Sequence, residues 1–305
     1  MQTVTYRGWP KCVRLANSKV ELVATTDVGP RIIHLSSPGG ENLMAVFEEQ
    51  AGLTGGDEWR LYGGHRLWHS PEAKPRTYYP DNAPVQALED GQTLRLVPPL
   101  ETTTGIQKEL AITLIEDDAH VEVRHLLENT GVWPVELAPW ALTVLNVGGM
   151  AILPQSEWGT PDNLLANRML VLWPYTDLRD PRVTWGSRYI LLRQDPAREP
   201  PFKVGLNATE GWVAYVRGQK LLIKCFEYDL DALYPDNGCS VESYTNGRMI
   251  ELETLGPLVL LDPGDVVEHV EHWFLYDLPE PVSSEDDVDR LVRPLAEQAL
   301  EASLL

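Results

Sequence analysis

Basic residues are scarce in this 305-residue chain: Lys and Arg number 25 against 45 Asp and Glu, a formal net charge of -20. That charge repels phosphate backbones and anionic lipid heads, which sets aside nonspecific nucleic-acid binding and adhesion to an anionic membrane. Cysteine is nearly absent. Cys12, Cys225 and Cys239 stand far apart and form no CxxC pair, so neither a disulfide framework nor a zinc knuckle is indicated. No apolar run reaches the length of a membrane span, and Met1 to Pro10 shows no basic cluster followed by an apolar core. The expectation is a soluble protein of a reducing compartment, the cytoplasm. No pattern calls for a cofactor, and oligomeric state is not legible.

Turn formers and polar-edged aromatics are plentiful, with 24 Pro, 23 Gly, 10 Trp and 11 Tyr against 4 Phe. Trp and Tyr suit half-wet surfaces such as carbohydrate clefts, although they also fill β cores. Many segments alternate apolar and polar residues, as His120-Val-Glu-Val-Arg-His does, and turn chemistry such as Asp262-Pro-Gly-Asp divides them. More than a dozen such segments predict an all-β fold, a large sandwich of antiparallel strands over residues 1–282 as one domain. Ser284 followed by Glu285-Asp-Asp, with Val288, Leu291, Leu295 and Ala299 at helical spacing, predicts a short C-terminal helix within 283–305, packed on the sandwich edge.

Two segments carry chemical promise. The first runs from Glu58 to Asn82 and holds His65, Arg66, His69 and Glu72 beside Trp59, Trp68, Tyr78 and Tyr79. It reads as a long ordered loop, and such loops often bind ligands. His65 and His69 could instead only brace the backbone. On a helix, His65, His69 and Glu72 would share a face and suit Zn or Mn, but Gly63-Gly64 before and Ser70-Pro71 after argue against a helix there. In the second segment Glu251 and Glu253 are two apart on one expected strand and face one side. Paired carboxylates raise at least one pKa or demand a cation, which suits proton transfer or hydroxyl binding; a solvated face is the plain alternative. Glu242, on the preceding strand, is placed to join them.

Several of these stretches resemble one family. Leu252-Glu253-Thr254, then Leu260-Leu-Asp-Pro-Gly-Asp265, then the aromatic run from His269 to Tyr276, is similar to the C-terminal signature of aldose 1-epimerases, the galactose mutarotases. Gly29-Pro-Arg-Ile-Ile-His-Leu35 with Asn42-Leu43 resembles that family's opening hairpin, and Asn129 to Leu142 its central block. More narrowly, the chain resembles a mutarotase-like group carrying the Gly63-to-Glu72 loop. The resemblance implies a β-supersandwich with Glu253 at the position of the base that takes the anomeric hydroxyl proton. Trp140 falls about where the family has its acid, a histidine.

The leading expectation is therefore a carbohydrate-binding, mutarotase-like protein, an aldose 1-epimerase or related sugar epimerase. It would use Glu253 as base and His65 or His69 as acid. Arg66, Trp68, Glu72, Trp140, Glu242 and Glu251 would contact a sugar or oligosaccharide. A non-catalytic carbohydrate-binding protein is the first rival. The second is a metal-dependent lyase or hydrolase of saccharides, with His65, His69 and Glu72 or Glu242 as ligands. The acidity is uneven: residues 265–305 hold 11 acids and 2 Arg, whereas Glu58 to Asp81 is nearly neutral.

Overall fold

The alternation read in the sequence becomes two stacked antiparallel sheets in the computed structural model, which describes residues 1–115, 117–156, 162 and 164–304. Among the described residues the larger sheet has 11 strands. Its central run is Arg31–Ser36, Gly64–Ser70, Val135–Leu145, Ile250–Leu255, Val241–Thr245 and Phe202–Leu206. The other sheet has 10, with Trp212–Arg217, Lys220–Phe226, Val266–Asp277 and His120–Asn129 at its centre. Leu22, Ile32, Leu110, Val123, Val204, Leu222 and Leu252 meet between the sheets in the main core. This is the all-β sandwich that the sequence predicts. None of the described helices is long and apolar enough to cross a membrane.

The expected long loop from Glu58 to Asn82 needs correcting, because its middle, Gly64–Ser70, is a central strand with every residue buried. A strand covered on both faces loses the alternation that marks a half-exposed one. Gly63 and Gly64 make its insertion possible. Both have positive φ, 104° and 71°. A Cβ at Gly63 would stand 2.0 Å from the Ala45 carbonyl oxygen, and one at Gly64 would stand 2.4 Å from that of Ile32. Only glycine fits at either place.

The C-terminal segment is helical: Glu285–Asp287, a wider π turn at Val288–Val292, then Arg293–Ser303. Ser284 and Asp287 form a reciprocal capping box at its start. Leu305, the last residue of the expected segment, lies outside the described residues. The helix covers a sheet face rather than an edge. Val288, Val292, Ala296 and Ala299 pack on Ile152, Leu191, Ala214, Ile223 and Phe274, which turn outward from the smaller sheet and would otherwise leave an apolar face in water.

Candidate functional site

Period-two geometry on the larger sheet sorts the candidate residues between its two faces. Pairing register aligns Arg66, Leu142, Glu253, Glu242 and Gly205 in one row across five strands. The neighbouring row is Val144, Glu251, Tyr244 and Lys203. Both rows, with Trp68 and Trp140, turn away from the sandwich interior. The intervening residues, including His65, His69, Leu252 and Thr254, turn inward.

At the centre of the outward face stands a buried charge cluster. Lys203 Nζ lies 2.6 Å from Glu242 Oε2 and 3.0 Å from Glu253 Oε2. Trp140 Nε1 donates to Glu253 Oε2 at 2.9 Å. The ammonium also rests over the rings of Trp140 and Trp173, at 4.9 and 4.7 Å from their centroids. Glu242 and Glu253 are fully buried and Lys203 nearly so. Burial, with the charge of Glu253 added, pushes the Glu242 carboxyl well above its ordinary value against the pull of Lys203. Burial alone would lower the Lys203 ammonium, yet Glu253 and Glu242 outweigh it and hold it well above the usual lysine range.

A second ion pair lies beside the first. Arg66 Nη2 reaches Glu251 Oε1 at 3.4 Å, and its guanidinium stacks 4.5 Å over Trp68 with Trp59 at 5.8 Å. Burial raises the Glu251 carboxyl in spite of Arg66. Arg31 is fully buried and its Nη2 holds Asp81 Oδ2 at 2.8 Å. Several polar atoms on this face have no hydrogen-bond partner among the described residues: Oε1 of Glu242 and of Glu253, and Nε and Nη1 of Arg66 and of Arg31. Buried polar atoms are nearly always paired, so such a concentration is unusual and leaves several hydrogen bonds unmade among the described residues.

Tyr78, half-buried, and Tyr175, 43% exposed, stand at the outer side of the cluster; burial is the main cause raising both phenols, and both feel the charge of Lys203. Glu72 is exposed and accepts a hydrogen bond from the Tyr78 hydroxyl. A hollow of about 680 Å³, counting its open mouth, adjoins Trp68 between Gly29, Tyr79, Asp81 and Glu101. Glu242, Glu253 and Lys203 do not line it.

The structure thus brings Glu253, Glu242, Glu251, Arg66, Trp68 and Trp140 to one face of the larger sheet and separates the two histidines from them. This corrects the expected base and acid pair. His65 and Glu253 belong to strands of one sheet but face opposite sides, so neither His65 nor His69 shares a cleft with Glu253. His65 is hydrogen-bonded to Thr143 and His125 inside the sandwich. His69 Nε2 lies 3.2 Å from Glu101 Oε2, in a buried pair that Lys108 joins. The expected metal set of His65, His69 and Glu72 does not converge either: two members are buried in separate clusters and the third is exposed. Sequence reasoning missed Lys203. Its signal was a single cation within the otherwise apolar strand Phe202–Leu206.

No family model matches the chain, and no curated protein does. Solved structures do. A galactose mutarotase-like protein from Lactobacillus casei ATCC 334 matches at 10% identity with a TM-score of 0.55, over 87% of this chain and 100% of its own. A galactose mutarotase related enzyme from Lactobacillus acidophilus matches at 10% identity and a TM-score of 0.52, over 87% and 97%. A TPR-domain containing protein from Parabacteroides distasonis ATCC 8503 matches at 14% identity and a TM-score of 0.58, over 90% of this chain. This chain spans about half, 48%, of that protein's length. The likenesses to the two Lactobacillus proteins show a galactose mutarotase-like fold.

Proposed function

We propose that this protein binds a sugar on the outward face of the larger sheet and interconverts its anomers, as an aldose 1-epimerase does. The observation that carries the reading is the pair of buried carboxylates, Glu242 and Glu253, each with a free Oε1 beside one shared ammonium. Glu253 is the base. Glu242, kept neutral by burial and by its neighbour's charge, is the acid in place of a histidine. Glu253 takes the proton of the anomeric hydroxyl, the bond from C1 to the ring oxygen breaks, and Glu242 gives that oxygen its proton. Rotation about C1–C2 and the reverse steps close the other anomer and restore both groups. No oxidant, reductant or third reactant is needed. Lys203 steadies the negative charge as it passes between the carboxylates, and Arg66, Glu251 and Trp68 bind hydroxyls and the apolar ring face.

Both carboxylates are fully buried, so the sugar reaches them only after side chains over the cluster, among them Trp173 above Lys203, move aside. Closure over the sugar would then exclude water and strengthen each electrostatic contact. Exchange NMR on a panel of aldoses tests the reading. Wild type should accelerate exchange for at least one aldose while Glu253→Gln leaves the spontaneous rate; identical exchange with both proteins across the panel refutes it. One rival is a non-catalytic carbohydrate-binding protein, for which calorimetry would show saturable sugar binding while exchange stays at the spontaneous rate.

A further inference from the structure

Between the sheets, on the far side of the Gly64–Ser70 strand from Glu253, three ligand-type atoms converge. His65 comes from that strand in the larger sheet, whereas His125 and Glu271 come from His120–Asn129 and Val266–Asp277 in the smaller one. His65 Nε2 and His125 Nε2 are 2.7 Å apart. Glu271 Oε2 is 4.0 Å from each of them. All three side chains are fully buried. In a triangle with those three sides, the point equidistant from the corners lies about 2.1 Å from each and in their plane, so tetrahedral binding requires the two nitrogens to part from their hydrogen-bonded 2.7 Å to roughly 3.4 Å. Zinc binds imidazole nitrogen and carboxylate oxygen at roughly 2.0–2.2 Å.

The opposite end of each ligand is tied down. His125 Nδ1 lies 2.9 Å from the His269 carbonyl oxygen and must donate to it, which makes Nε2 the acceptor of the 2.7 Å contact with His65 Nε2, whose proton a metal ion would displace. His65 Nδ1 lies 2.9 Å from Thr143 Oγ1. Lys224 and Thr254 hold Glu271 by its other oxygen, Oε1, while Trp273 Nε1 donates to Oε2 at 2.8 Å. Outer hydrogen bonds of this kind fix the tautomer and aim of metal-ligating side chains.

We propose that His65, His125 and Glu271 form a site for one divalent transition-metal ion of the zinc type, clamping the two sheets together. Two imidazoles and a carboxylate are the donor set such an ion takes, with water in the fourth position. The site is independent of the sugar site, and its failure would leave that reading intact. Lys224 balances the charge of Glu271, so the ion adds to a site that is neutral before binding.

The test uses untagged protein produced in zinc-supplemented medium and dialysed against metal-free buffer, with metal measured by mass spectrometry. Wild type and Glu72→Gln should retain one zinc per chain, and His125→Gln should retain none. Protein produced with cobalt in place of zinc should show the visible ligand-field band of a low-coordinate N/O site, a readout that does not depend on any variant folding. Wild type without zinc above background, a cobalt-grown wild type without that band, or zinc retained by His125→Gln would each overturn the proposal. In those cases the cluster is a closed chain, His65 Nε2 donating to His125 Nε2.

Discussion

Glu242 and Glu253 sit opposite each other on adjacent strands and share a single ammonium, Lys203 Nζ, at 2.6 and 3.0 Å. Two fully buried carboxylates with one cation cannot both ionise without a large penalty, so the trio favours one negative charge, one positive charge and one neutral acid. That division of roles underlies the proposed chemistry and the first expectations below.

Removing the cation should cost far more than removing one acid. Lys203→Met leaves Glu253 buried with no opposing charge and should destabilise the fold by about 3–5 kcal/mol. Glu242→Gln keeps the shape and the Lys203–Glu253 pair, and should cost no more than about 1.5 kcal/mol. Urea unfolding of the three proteins near pH 7 checks the order. Equal losses would mean that Lys203 is not the counter-ion.

Two buried carboxylates should give opposite pH dependences. Glu242 is held well above its ordinary value, so its share of stability is complete below the unfolded value of 4.5 and is lost as pH rises through the folded one. Burial raises Glu101 too, but Lys108 and His69 outweigh it and bring it down to about 2. Its share is complete above the unfolded value and is lost as pH falls toward 2, a total of about 3 kcal/mol. Melting curves against pH should show Glu242→Gln gaining on wild type as pH rises. Glu101→Gln should gain on wild type as pH falls.

Trp140 donates to the same Glu253 oxygen that Lys203 holds. Trp140→Phe keeps most of the ring and deletes that donor, leaving the carboxylate less stabilised at a cost of about 1–3 kcal/mol. If Glu253 is the base, losing this donor makes its carboxylate more basic, so the rate of sugar exchange and its pH profile should both shift from those of wild type. Sugar binding with unchanged exchange would remove Trp140 from the site.

The strand that carries Arg66 and Trp68 depends on its glycines. Gly63→Ala would drive a Cβ to 2.0 Å from a backbone oxygen at φ 104°, and should abolish folding or cost several kcal/mol. Gly91→Ala, at φ 61° in a turn with nothing within 4 Å, should cost only about 1–2 kcal/mol. Expression level and melting temperature separate the two cases.

Much of the fold was legible because half-buried strands write their period into the sequence, as His120–Asn129 does. The same period correctly placed Glu251 and Glu253 on one face. Gly64–Ser70 hid for the opposite reason: with both faces covered it carries no alternation, and its glycines and histidines look like loop chemistry. Once it is read as a strand, the division of Arg66 and Trp68 from His65 and His69 follows from residue parity alone. Lys203 and Arg31 were harder, since a lone cation in a short apolar strand looks like an edge residue. The meeting of His65 with His125 and Glu271 was out of reach, because it depends on how one sheet lies over the other.

The protonation of Glu242 is the most direct test of the account. Carbon-13 NMR of protein labelled at the glutamate carboxyls, titrated from pH 4 to 9, should contain one carboxyl resonance that titrates well above the ordinary glutamate range and that disappears in Glu242→Gln. A resonance assigned in this way that titrates near 4.5 would contradict the account, because Glu242 would then be ionised at neutral pH with no proton to give.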